Sequence, residues 1–456
     1  MANLPIVLYA ILFLIAVIAP LRWSIIAFIL LANIDLGSLN ASIGVLNTIK
    51  ALVLPFLMLW RFRAYSGHSK IGPAAIAWGL LILYAAIASL WSSFPAYAVK
   101  LIGHMIGSLV ICLVLIRATK GGHLTPSSIV PISLATLAIA CMHWFLLHDW
   151  GGEPERFTTF AGAQAFAAFL AALYSVLLTY ESLRLWIRIP LILALIFAMV
   201  LNGSRLWIAG LFLITFLSVF TSTLRAWIKI FVLGFTVLSG SAILLEFDPI
   251  MSFLLHESSS NRIAAAVSAA YQGNMKSRGL GTYNLRHELY KRTMRSLEKD
   301  STLQLAFGHG TCNGAHITAT LSRNPDPNRA LHDEWLRAIY EWGVIGLSLW
   351  VFLIGSLTAF ALRGTRQNKG GYAKPLLVYL PAFAIGLSGE NFIAAAGNVA
   401  TVGFLVLIAF ASIAYRSNRR ALRLNMPRLH GKDSAVPSTH AVGQVLRPGP
   451  SLHPGV

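Results

Sequence analysis

Long apolar runs without a polar face constrain this chain more than any other feature. They recur near residues 43–60, 73–91, 98–117, 127–147, 159–180, 186–201, 205–220, 226–246, 337–361, 374–390 and 397–416. Each is close to the roughly 17–25 residues that cross a hydrocarbon layer as a helix. Residues 4–38 before them hold two short spans or one broken one, for a total of twelve or thirteen. Lipid offers no partner to an unpaired backbone group, so every span is expected to be helical. The expected fold class is therefore an all-α polytopic membrane protein. The apolar stretch 186–220 would be too long as one helix, and "NGSR" at 202–205 divides it into a helical hairpin.

Composition agrees. Of 456 residues, 56% are hydrophobic and 12% charged, with a mean hydropathy of +0.68. Soluble domains carry roughly 25% charged residues. The net charge of +19 does not indicate nucleic acid as a partner, because the basic residues lie scattered in short loops between apolar runs, as expected for anchored membrane helices. Cys112 and Cys141 fall in apolar spans, where small core positions are expected, and Cys312 stands alone in a loop. Neither a disulfide framework nor a zinc site is expected from them. Residues 4–19 lack a basic leader and read as a retained span, not a cleaved signal.

The basic residues also orient the chain. With the C-terminal tail taken as cytoplasmic, alternation places Arg61/Arg63/Lys70, Arg117/Lys120, Arg184/Arg188, Arg225/Lys229 and Arg363/Arg366/Lys369/Lys374 inside. The short outside loops 91–97, 148–158, 202–205 and 390–396 carry only Arg156 and Arg205. The expected organisation is then N-terminal spans in 1–246, a large external segment at 247–336, C-terminal spans in 337–416 and a basic, disordered cytoplasmic tail at 417–456. Seven basic residues run from Arg416 to Arg447 against one acid, Asp433, and this charge would lie against anionic headgroups. The external segment holds a basic helical stretch "LRHELYKRTMRSLEKD" (285–300), a Gly-rich turn "FGHGTCNG" (307–314) and a turn region "SRNPDPNR" (322–329).

This topology collects Arg156, Arg205, Arg286 and His332 on the outer side. Arg205 abuts apolar helix on both sides, a costly place for a permanent charge. Acidic candidates near it are few, namely Asp149, Glu153, Glu155 and Glu390. A ligand phosphate fits as well, since the planar guanidinium matches its oxygens in bidentate fashion. Plainer readings stand beside each residue. Arg156 can pair with Glu153 or Glu155, Arg205 can snorkel to the interface, Arg286 can belong to a solvated basic face, and His332 can be an ordinary interfacial histidine. The turn "GHGTCNG" can cradle an anion on its backbone N–H groups, although a simple turn explains it too. The chain has no G-x-x-x-x-G-K-[ST], no D-x-D and no H-E-x-x-H, so nucleotide-engine, metal-held sugar-nucleotide and zincin chemistries are disfavoured.

Three stretches resemble the O-antigen ligase and polymerase superfamily of bacterial envelopes. "NGSRLWIAGLFLI" (202–214) is similar to its Ser-Arg followed by a small-residue helix. "NLRHELYKRTMRSL…LAFGHG" is similar to its Arg, aromatic and Gly-x-Gly turn, here Arg286, Tyr290 and Gly308/Gly310. "LHDEWLRAIYEWGVIGLSLWVF" is similar to its His-Asn, acidic residue and paired glycines, here His332, Glu341, Gly343 and Gly346. "RFTTFAGAQAFAAFL" (156–170) looks like its Arg-led entrance to a middle helix. Asp333 departs from the usual Asn, which adds a negative charge beside His332, and His309 occupies a position that is usually small or varied.

The resemblance implies transfer of a glycan from undecaprenyl diphosphate to a sugar hydroxyl, on lipid A core or on a carrier-linked glycan. The reaction would run at the periplasmic face of the bacterial inner membrane, without metal, nucleotide or other cofactor. His332 would accept the hydroxyl proton, and Arg205, Arg286 and Arg156 would bind the diphosphate and its developing charge. Asp333, Tyr290 and Glu390 are supporting candidates, and Tyr283, Tyr290 or Trp335 could stack on sugar. An O-antigen or exopolysaccharide polymerase is the nearest alternative. A polysaccharide transporter or flippase is the alternative of another class; it would need polar residues meeting at the bilayer midplane.

Overall fold

The computed structural model describes residues 4–34, 46–47, 49–65, 73–146, 157–160, 162–180, 183–222, 281–322, 331, 333–367, 371–388 and 399–425. All regular structure among these residues is helical. Five helical segments are long and apolar enough to cross a membrane: Pro73–Trp91, Pro95–Lys120, Pro126–Phe145, Leu185–Asn202 and Glu334–Arg366. Six shorter apolar helices accompany them. The expected span at 226–246 lies outside the described residues.

The first described helices are α1 (Leu4–Ile18) and α2 (Leu21–Leu31), so residues 4–31 form two short helices broken before Pro20. The next helix opens with one π-helical turn, Ile49–Val53, and continues as α3 (Leu54–Arg61). Then come α4 (Pro73–Ala88), α5 (Pro95–Lys120), α6 (Ile129–Leu146), α7 (Ala163–Thr179), α8 (Leu185–Asn202) and α9 (Arg205–Phe220). The hairpin between α8 and α9 turns on Gly203, whose φ of 66° is left-handed, a conformation glycine adopts without a Cβ clash. Helices α10 (Gly281–Leu297), α11 (Thr302–Phe307) and α12 (Gly314–Ser322) belong to the expected external segment. The chain closes with α13 (Glu334–Gln367), α14 (Lys374–Gly386) and α15 (Val399–Asn425).

Two helices depart from expectation. Helix α13 starts before residue 337 and is broken at Gly343, which has φ 64° and ψ −165°, so the lipid-length apolar part begins only after that glycine. Helix α15 runs on to Asn425, past the boundary expected at 416, so the tail is helical to that point. Residues 426–456 lie outside the described residues.

Helix α7 sits at the centre. Nearly all of its side chains are buried, as expected of a helix that is apolar all round and walled by others. It packs on α6, α8, α9, α14 and α15. Gly403 of α15 lets the two inner helices approach, since a Cβ there would come within 2.7 Å of Phe169. The outer helices expose Leu80, Leu83 and Ile87 on α4, Leu193 and Phe197 on α8, and Val351 and Phe352 on α13, the surface a bilayer would cover. Cys112 is buried, but Cys141 is on the exposed side of α6, so the expected core position holds only for the first.

Arginines assigned to the inner loops close helix ends. The Arg61 guanidinium donates to the carbonyls of Ala16 (2.6 Å) and Ala19 (2.7 Å). Arg117 donates to the Leu59 carbonyl (3.0 Å), and Arg188 to that of Leu178 (2.7 Å). Cations suit these orphaned carbonyls at the negative ends of helix dipoles. The same bonds put the α1–α2 break, the end of α3 and the end of α5 at one end of the bundle. The N-terminus of α1 is therefore at the other end, which the sequence left unassigned.

Candidate functional site

The opposite end of the bundle gathers most of the residues singled out by the resemblance. Its frame starts at the hairpin tip. Asn202 Nδ2 donates to the carbonyls of Phe157 and Ala163 (both 3.0 Å), and Ser204 Oγ to Gln164 Oε1 (2.6 Å). These bonds join the entrance of α7 to the residue before Arg205. One half-turn into α9, Trp207 stacks on Tyr379 and packs against Gly386, where a Cβ would come within 2.6 Å of the indole. Gly386 ends α14, and the next carbonyl, that of Leu387, accepts the Glu334 N–H at 2.8 Å. Trp335 Nε1 also donates to Ala384 O at 3.0 Å. The first turn of α9 and the start of α13 thus share one end of the molecule.

Helix α10 brings Arg286 there. Leu289, Thr293 and Leu297 are buried, and with Arg286 they form an i, i+3, i+7, i+11 stripe on one helix face. Leu289 and Leu297 pack with Ile317, Leu331 and Tyr340 in a small core that ties α10 to α12 and α13. Lys291 and Arg295 lie on the exposed side. Arg286 is half-buried on the inward face, which separates it from the solvated basic face to which sequence alone could assign it. Its charge acts on Asp333, drawing that carboxyl down against burial, which raises it overall.

Asp333 has a defined structural task. Its Oδ1 accepts the N–H groups of Trp335 and Leu336, each at 2.9 Å, so it caps α13. Tyr290 is exposed on α10. Trp335 is engaged with Ala384 and lies 6.2 Å from the Trp350 ring, which makes it a packing residue and not an open platform for sugar. The backbone of Arg205 begins α9, and the placement of its side chain, like that of Tyr283, lies outside what is described. His332, Arg156 and Glu390 lie outside the described residues. Their chain neighbours Asp333 and Phe157 are placed, and the Phe157 N–H meets Leu201 O at 3.4 Å, at the hairpin tip.

The Gly-rich turn has an occupant of its own. Glu341 Oε2 accepts the Cys312 N–H at 2.8 Å, and Oε1 accepts that of Gly314 at 3.2 Å. Cys312 has φ 70°, and its left-handed residue curls the N–H groups toward a common centre. The remaining donors of the turn are also committed: Gly308 to Gln304 O, His309 to Tyr340 O, Gly310 to Glu341 O, Thr311 to Ala88 O and Asn313 to Gly310 O. The anion held by this nest is the protein's own carboxylate. A phosphate-binding role for the turn is therefore replaced by a structural one.

Glu341 belongs to a buried charge cluster that sequence reasoning missed. Arg337 Nε is 3.4 Å from Glu341 Oε2, and Nη1 is 3.4 Å from Glu334. All three side chains are at most 3% accessible. The spacing 334, 337, 341 is the i, i+3, i+7 signature of one helix face, and reading it could have found the trio. No group of His, Cys, Asp and Glu able to hold a metal ion occurs among the described residues. No family model matches the chain, and no curated protein matches it.

Proposed function

We propose that the protein is an inner-membrane glycosyltransferase of the O-antigen ligase type, with twelve or thirteen spans and its site on the periplasmic face. In this reading a glycan leaves undecaprenyl diphosphate for a sugar hydroxyl on lipid A core. The bond from the anomeric carbon to the diphosphate oxygen breaks, and a bond from that carbon to the acceptor oxygen forms. His332 takes the acceptor's proton, and the leaving diphosphate keeps the electron pair, its charge met by Arg205 and Arg286, with Arg156 beside them. Fixed guanidinium groups stabilise charge that develops on a leaving group because they need no reorganisation as the bond breaks.

What supports this reading is that the helices α9, α10 and α13, on or beside which these residues fall in the sequence, meet at one end of the bundle. Helix α10, which carries Arg286, packs on α13 through Leu289, Leu297 and Tyr340, and α13 is joined through Leu387 and Gly386 to the first turn of α9 that Arg205 begins. A transport reading would instead place such charges at the midplane.

The test is transfer by the reconstituted protein from a defined undecaprenyl-diphosphate glycan to lipid A core. His332→Ala is expected to abolish transfer while leaving the folded protein intact. Arg286→Lys should reduce it at least tenfold, because an ammonium cannot reproduce the bidentate fork. Full transfer by His332→Ala would remove that residue from the mechanism. Elongation of a carrier-linked acceptor, with lipid A core left unused, would assign the chain to the polymerases.

A further inference from the structure

Part of the segment expected to lie outside packs against a helix that is long and apolar enough to cross a membrane. Residues 307–313 run alongside the end of α4 and the turn that follows it, where Gly308 O accepts from Trp91 Nε1 at 3.3 Å. Phe307 O accepts from Tyr84 Oη at 3.1 Å. Thr311 Oγ1 donates to Ala85 O at 2.7 Å, and its N–H to Ala88 O at 3.3 Å. Thr311 O accepts from Ser92 Oγ at 2.5 Å, and Asn313 Oδ1 from the Ser93 N–H at 2.9 Å. Tyr84 precedes Trp91 by roughly 10 Å of helical rise at about 1.5 Å per residue, and both belong to the span Pro73–Trp91. The limb therefore enters the end of that span: the Thr311 N–H meets Ala88 O, its hydroxyl reaches Ala85 O, and the Tyr84 side chain reaches Phe307 from deeper. On its other side this limb meets the break in α13. A Cβ on Gly308 would come within 2.4 Å of Glu341 O, and one on Gly343 within 2.4 Å of Ala306 O.

We propose that residues 301–314 form a re-entrant hairpin in the bilayer, with α11 presenting Leu303, Leu305 and Phe307 to the acyl chains of the surrounding lipid. Three observations carry this independently of catalysis. First, α11 contains no charged residue, and the run of charges Glu298, Lys299 and Asp300 stops before it begins. Leu303 is 71% and Phe307 44% exposed, a cost in water that lipid removes. Second, the elements this hairpin packs on also expose apolar side chains, Leu83 and Ile87 on α4, Leu90 in the turn after it, and Val344 and Ile345 on α13.

Third, the backbone meets the condition lipid imposes, that irregular chain at this depth be buried and fully bonded. Gly308, Gly310, Thr311, Asn313 and Gly314 are buried, and every N–H from 308 to 314 has an acceptor within the protein. The entry of α11 is closed by a capping box between Ser301 and Gln304, which engages its polar side chains with one another. His309 on the returning limb is held by Asp300 at 2.8 Å.

The test uses the full chain in phosphatidylcholine vesicles, with photoreactive benzoylphenylalanine in place of Leu303 or Phe307. The same residue in place of Leu83 serves as the lipid-facing control, and in place of Tyr290 as the aqueous one. Irradiation is expected to give phospholipid adducts, read by intact mass, at 303 and 307 with yields within about twofold of Leu83 and at least tenfold above Tyr290. Yields at the level of Tyr290, or adducts to a second protein chain in place of lipid, would overturn the proposal.

Discussion

At the scale of single residues, the decisive groups are charges with assigned partners. Glu341 satisfies two turn N–H groups and one side of Arg337. Removing it leaves Arg337 with Glu334 as its remaining carboxylate and empties the nest at once. Breaking a buried pair in this way costs about 3–5 kcal/mol. Glu341→Ala is therefore expected to lower folded stability by that order, measured by denaturant unfolding in detergent, whereas Lys291→Ala on the exposed face of α10 should change it by less than about 0.5 kcal/mol. Arg286 was legible in sequence as one basic residue among several. What could not be read there was its side of the helix, since the stripe through Leu289, Thr293 and Leu297 matters only once α12 and α13 cover it. Arg337 went unnoticed because it sits where an apolar run was taken to begin, and hydropathy averaging hides a charge that its own helix neutralises.

At the scale of elements, the all-helical architecture was legible because lipid reduces the choice to helices, and five of the described helices are long and apolar enough to span. The α8–α9 hairpin was legible too, through the Asn-Gly-Ser-Arg interruption. The break in α13 was not. A left-handed residue interrupts a helix without disturbing its apolar pattern, and Gly343 is one glycine among the 36 of the chain. Its backbone approach to Ala306 leaves no room for a methyl group, and its φ of 64° is strained for any residue with a Cβ. Gly343→Ala should destabilise the protein by more than about 2 kcal/mol from these two effects together. Gly355→Ala, in the same helix with open space around it, should be neutral or slightly stabilising. A denaturant midpoint for each variant makes the comparison.

At the scale of the whole molecule, the bonds of Arg61 and Arg117 on one end and of Leu387 with Glu334 on the other divide the bundle into two faces. The positive-inside expectation would put the first on the cytoplasmic side. Ser127 follows α5 on that face, and Ser388 follows α14 on the other; both are exposed. In a Cys141→Ser background, Ser388→Cys is expected to react with a membrane-impermeant maleimide added to spheroplasts, and Ser127→Cys only after permeabilisation. The reverse pattern would invert the molecule and move the candidate site to the cytoplasm. Charge asymmetry made this two-faced plan readable from sequence, while the convergence of α9, α10 and α13 was not, because residues far apart in the chain meet there only through packing.

The returning limb at 308–313 carries a consequence for biogenesis. Its bonds to α4 join residues as much as 226 positions apart, so α4 leaves the ribosome long before the partner of its upper turns exists. Until then the end of α4 lacks the second hydrogen bonds that Thr311 gives to its Ala85 and Ala88 carbonyls. The final closure of that end is therefore a late, post-insertion event, and a nascent chain arrested before residue 308 would hold its spans in the membrane with the outer rim still unsealed.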